Sequence, residues 1–147
     1  MKEYTSVYRN LKTGAYLVQP FALGPTGKTA CGGPILLSAD VVDEKIGVSV
    51  LAVMEMYRTQ KYDPALAIRH DRSQQRKFVG GHAAVSVARL DSGDVVIRPL
   101  YHEGGGFVAR NDDAISLQQR VLPKRLGAVI RDAFSLGPGE CRRHRKN

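Results

Sequence analysis

Two segments of this chain, Asp43 to Glu55 (DEKIGVSVLAVME) and Pro123 to Ser135 (PKRLGAVIRDAFS), each set a large apolar residue directly before a glycine at the head of an apolar helical stripe. Ile46-Gly47 is followed by Val50, Val53, Met54 and Tyr57, and Leu126-Gly127 by Val129, Ile130, Ala133 and Phe134. That spacing predicts two helices, each with one buried face. Glycine inside a helix costs about 1 kcal/mol relative to alanine. Its recurrence at one place in both predicts close backbone packing there. The helices are expected over Asp40 to Arg58 and Pro123 to Leu136. Asp40, Asp43 and Glu44 suit the positive end of the first. A proline opens the second, where its missing N–H is harmless, and Gly137-Pro138-Gly139 ends it.

The echo extends upstream of the helices. YLVQPF (16–21) matches VVIRPL (95–100), with Pro20 against Pro99, and Gly27 stands opposite Gly106. Each half reads as strand, glycine-bearing loop, short strand, helix, consistent with an internal duplication of a β-β-α unit. Chance likeness between apolar stripes is the alternative. Strands are expected at Tyr4 to Asn10, Ala15 to Pro20, Ile35 to Leu37, Ala83 to Leu90, Val95 to Leu100, Phe107 to Arg110 and Ala114 to Leu117, with DSGD turning the clearest hairpin. Phe21 to Pro34 reads as a Gly/Pro-rich loop, and Ala65 to His70 as a helical turn. Seven strand-like segments and two strong helices argue for an α+β fold rather than βαβ winding. The expectation is one antiparallel or mixed sheet of about five to seven strands covered by two helices. A single globular domain over 1–136 and a mobile basic tail over 137–147 complete it.

The chain has 147 residues, enough for one core, with 43% hydrophobic and 24% charged side chains, which excludes a disordered class. The opening MKEYTSVYRN has no apolar signal core, and no apolar run approaches the ~18 residues of a membrane span. A cytoplasmic protein with no membrane association is expected. Cys31 and Cys141 lack metal-ligand spacing and read as unpaired thiols. The net charge is +8, part of it in the tail ECRRHRKN. Such a balance favours nucleic acid or an acidic protein face as partner.

Ala22 to Thr29 (ALGPTGKT) fits the letters of a phosphate-binding loop. Such a loop needs Gly-Lys-Thr to open a helix whose amides cradle the phosphates. Here Gly32, Gly33 and Pro34 would break that helix within its first turns. An NTPase is therefore not expected. No histidine pattern of a metalloprotease and no Gly-x-Ser-x-Gly elbow occurs, and Cys31 has no evident base beside it. His102-Glu103 beside three glycines reads as a solvated loop before it reads as an acid/base pair. No catalytic, cofactor-binding or metal-binding residue is assigned. RHDRSQQRK (69–77) sets Arg69, Arg72, Arg76 and Lys77 against Asp71. It could hold phosphates, meet a protein or simply face water.

The strand YLVQPF followed by LLSADVVDEKIGVSVLAVMEMYR, with VVIRPL and VLPKRLGAVIRDAF later, resembles the immunity proteins of bacterial contact-dependent growth inhibition (CDI) systems. The likeness runs over roughly residues 4–136. In that family a strand ending in proline leads through a variable segment to an acidic helix start with an apolar-Gly pair, and a second such helix lies near the C-terminus. The resemblance implies a non-enzymatic protein that binds the C-terminal toxin domain, often a nuclease, of a cognate exoprotein as a one-to-one complex. It supplies no catalytic residues. The basic balance departs from the acidic character common in nuclease inhibitors, so acidic mimicry of nucleic acid is not implied; a basic inhibitor suits an acidic, metal-binding centre. Tyr62, Arg69, Arg72, Tyr101 and His102 are the expected partner contacts, on polar connecting segments free to vary with the partner. A small basic nucleic-acid-binding or regulatory protein is the alternative.

Overall fold

The computed structural model describes residues 1–110 and 113–135. The expected tail, 137–147, lies outside them, as does Cys141. The elements run β1 (Glu3–Asn10), β2 (Tyr16–Gln19), β3 (Phe21–Gly24), β4 (Gly27–Ala30), β5 (Ile35–Leu37), α1 (Asp43–Thr59), a 3₁₀ turn (Pro64–Leu66), α2 (Arg72–Gly81), β6 (His82–Arg89), β7 (Val95–Glu103), β8 (Gly106–Ala109), β9 (Ile115–Leu117) and α3 (Pro123–Ser135). The fold is α+β, as the sequence predicts. Its main antiparallel sheet has the order β5-β2-β1-β6-β7-β8, with β9 also on β7, and β3 and β4 form a separate two-stranded sheet.

Two expectations need correction. Phe21 to Pro34 is not merely a loop: Phe21 pairs with Ala30 and Gly24 with Gly27 in a tight hairpin. The helices number three among the described residues, because the arginine-rich stretch after α1 folds as α2.

α1 and α3 cover one face of the sheet. Val7, Val18, Val85, Val87 and Ile97 from the strands meet Ile46, Val50, Val53, Leu126 and Ile130 from the helices, all fully buried. Burying one such side chain contributes about 1.5–3 kcal/mol, so this layer dominates the stability. Glu3 is buried at the sheet end, but two guanidinium groups hold it, Arg89 at 2.8 Å and Arg58 at 3.2 Å.

The internal echo is a structural repeat. β2 and β5 pair Tyr16 with Leu37 and Val18 with Ile35; β7 and β9 pair Val95 with Leu117 and Ile97 with Ile115, the equivalent positions. Phe21↔Ala30 is answered by Leu100↔Ala109. β1 and β6, the equivalent strands, pair with each other through Ser6↔Ser86, so an approximate two-fold axis passes there. The helices obey it too. A Cβ on Gly47 would lie 1.8 Å from the Pro123 carbonyl oxygen, and one on Gly127 would lie 1.8 Å from that of Asp43. Each glycine receives the first residue of the opposite helix. The halves differ at their prolines: β2 stops before Pro20, whereas β7 runs on through Pro99, which pairs with Val85.

Candidate protein-binding face

Side chains alternate along a strand, so Tyr4, Ser6 and Tyr8 of β1 point away from the face that carries Val7 into the helical core. The β3–β4 hairpin folds over Tyr4. Phe21 meets that ring edge-on at 4.9 Å, and the Lys28 ammonium sits 4.6 Å from its centroid. The Gly-Lys-Thr of the phosphate-loop lookalike is thus in strand β4 and opens no helix.

α2 covers Tyr8. Only Val79 of this helix is buried, so local chemistry must fix its start. Asp71 accepts from the Gln74 N–H at 2.8 Å, and the Gln74 side chain accepts from the Asp71 N–H at 3.0 Å, a complete capping box. From α2, Phe78 meets the Tyr8 ring edge-on at 4.9 Å and stacks on His82 at 4.1 Å. Phe107 of β8 lies 5.8 Å from Tyr8 and 5.2 Å from His102. His82 Nδ1 is 2.7 Å from the Phe78 carbonyl oxygen, and His102 Nε2 is 2.9 Å from the His82 carbonyl oxygen.

Two clefts open on this face. One, of about 400 Å³, is walled chiefly by Tyr8, Phe21, Ile68, His70, Phe78 and Phe107. The other, of about 460 Å³, is formed by His70, Arg72, Gln75 and Arg76 against the β7–β8 turn at Gly104 and Gly105. His70 and Gln75 belong to both. Arg72 and Arg76 are exposed and one helical turn apart. Gly104 and Gly105 both have positive φ, and a Cβ on Gly104 would meet nothing within 4 Å. In the apolar cleft, burial pushes the Tyr8 hydroxyl up to about 12, partly offset by a hydrogen bond with Ser6. It therefore carries no charge at neutral pH.

Two further clefts differ in kind. In the one lined by Lys2, Glu3, Arg58 and Arg89, Glu3 already engages both arginines. In the one lined by Asp40, Asp43 and Arg131, Asp43 and Arg131 pair at 2.7 Å.

Of the five expected contact residues, Arg72 lines the cationic cleft, and Arg69 is exposed beside Ile68 and His70. Tyr62 is half-buried against the hairpin, 3.1 Å from where a Gly24 Cβ would stand. His102 is half-buried behind Phe107. Tyr101 is a correction. It is fully buried, donates to Asp113 at 2.5 Å and lies beneath the Arg110 guanidinium at 4.8 Å, so it presents nothing to a partner. Sequence reasoning missed Tyr8, Phe78 and Phe107. The signal that could have found them is Asp71-x-x-Gln74, which starts a helix and so orients Phe78. Cys31 is a free, buried thiol. Among the described residues no three His, Cys, Asp or Glu side chains converge as metal ligands, and no helix is long and apolar enough to cross a membrane.

No protein-family model matches this sequence, and no curated protein does. By structure the chain is similar to a protein of unknown function from Neisseria meningitidis, with a TM-score of 0.67 and 17% identity over 90% of this chain and 93% of that one. It is also similar to a chain of the CdiA-CT/CdiI toxin and immunity complex from Yersinia pseudotuberculosis, with a TM-score of 0.64 and 17% identity over 90% of this chain and 95% of that one. At such identity the likeness is one of fold, and that fold is one found in a toxin and immunity complex.

Proposed function

We propose that this protein is an immunity protein. It binds the C-terminal toxin domain of a cognate CDI exoprotein in the cytoplasm, as a one-to-one complex, and blocks it without catalysis or cofactor of its own. The observation that carries this reading is the fold shared, over nine-tenths of both chains, with a chain of a toxin and immunity complex. The net charge of +8 suits a toxin with an acidic, metal-binding centre, as in a nuclease. The test is calorimetry with the C-terminal domain of the exoprotein encoded next to this gene. Saturable heat at one-to-one stoichiometry, with loss of toxin activity in the same mixture, is the expected result. Absence of heat, together with undiminished toxin activity, overturns the proposal.

The exposed arginines of α2 favour one other reading, a small nucleic-acid-binding protein. Its signature would be affinity for tRNA or duplex DNA that falls along a steep log-log salt slope, with no protein partner required.

A further inference from the structure

We infer that the partner is gripped through an acidic segment bearing one large apolar side chain, which enters the Tyr8–Phe78–Phe107 cleft while flanking carboxylates meet His70, Arg72 and Arg76. This rests on the reading that a protein docks on this face, and it adds the chemistry of what docks. Because the two clefts share His70 and Gln75, a few extended residues span both. The cationic cleft sets two arginines against one carboxylate and so keeps an excess of positive charge. Its lining carboxylate, Asp71, is taken up in capping α2, and neither Arg72 nor Arg76 joins an ion pair among the described residues. Arginine forks bind carboxylates bidentately, and two of them one turn apart suit two acidic side chains.

The neighbouring cleft selects the opposite chemistry. Most of its walls are aromatic or aliphatic, beside Gln19, His70 and Gln75, and the hydroxyl of Tyr8 is neutral. A charged side chain entering there would be desolvated without a counterion, whereas an apolar one loses only water. Nucleic acid fits less well. Its recognition uses a charged track with aromatic faces free for base stacking. Here the arginines occupy one turn, and the Tyr8, Phe78 and Phe107 rings are packed against one another.

The experiment maps backbone amide shifts of the full chain with two synthetic peptides, acetyl-Glu-Asp-Phe-Glu-Asp-amide and acetyl-Lys-Lys-Phe-Lys-Lys-amide, and with tRNA. At millimolar concentration the acidic peptide should shift His70, Gln75, Arg76 and Phe107, and the lysine peptide should not. Arg72→Glu with Arg76→Glu should reverse that preference; both side chains are exposed, and an unchanged melting curve shows that the variant folds. No shift, equal shifts from both peptides, or tighter tRNA binding at the same amides overturns the inference. Against the toxin domain, the double variant should lose affinity roughly 30-fold or more. Undiminished affinity of that variant overturns the inference and leaves the immunity reading standing. Peptide binding without any toxin-domain heat overturns the immunity reading and leaves the inference standing.

Discussion

Glycine means different things at different places in this chain, and the surroundings set the sign of a substitution. Gly47→Ala and Gly127→Ala would each gain about 1 kcal/mol of helix propensity. Each would also drive a methyl group to 1.8 Å from a backbone carbonyl of the facing helix. Overpacking costs about 1–3 kcal/mol even where side chains can yield, and here the obstacle is main chain. Either variant should lose at least ~3 kcal/mol of unfolding free energy in urea titrations. Gly80→Ala, on α2, should gain about 0.5–1 kcal/mol, since its Cβ would meet nothing and its φ is not positive. Equal signs for Gly47→Ala and Gly80→Ala would refute the reciprocal crossing. Tyr8 supplies a second residue-level test. Its hydroxyl titrates near 10 when unfolded and near 12 when folded, so the unfolded chain releases its proton first. The stabilisation is complete below pH 10 and is lost as pH rises toward about 12. The urea midpoint should fall across that window, and less steeply in Tyr8→Phe.

At the scale of elements, Val50 on α1 and Ile130 on α3 are equivalent and fully buried. Aspartate at either would bury a charge without a partner and cost several kcal/mol. Against the ~5–15 kcal/mol of a typical domain, soluble yield should collapse for both variants; parental melting curves would show the helix faces to be misassigned. Lys28→Ala should cost no more than about 0.5–1 kcal/mol, the cation–π contact over Tyr4. Millimolar ATP or GTP should leave the melting temperature of the parent unmoved, and a shift that Lys28→Ala abolishes would restore the phosphate loop. The two main helices and the DSGD hairpin were legible because burial on one face writes a period into sequence. α2 was not, since it buries little and its stability rests on the Asp71–Gln74 box. The β3–β4 hairpin was hidden by glycine and proline: Pro25 lies in its turn, and Gly27, with φ 110, resumes the strand. On the candidate face, the exposure of Arg69 and Arg72 was readable from charge, but only Arg72 lines a cleft. Tyr101 was misread because a polar neighbourhood in sequence says nothing of the side a strand residue faces.

Across the whole molecule, the repeat was legible as two copies of one pattern, but sequence could not show that the copies face each other across Ser6↔Ser86 and interlock through their glycines. A complex formed on the α2 face with an acidic partner should associate more slowly as salt rises, while dissociation, governed by the apolar contacts, changes little. Stopped-flow measurements at low and high salt separate the two rates. The two-fold arrangement also has a bearing on how the chain folds. Its central strand pair joins segments far apart in sequence; Glu3 and Arg89, for instance, are 86 positions apart. Such non-local pairing makes for high contact order and slow folding. During synthesis the first half must wait with the glycine face of α1 unprotected until α3 has left the ribosome, so a chain truncated before residue 123 would have no native partner for that face.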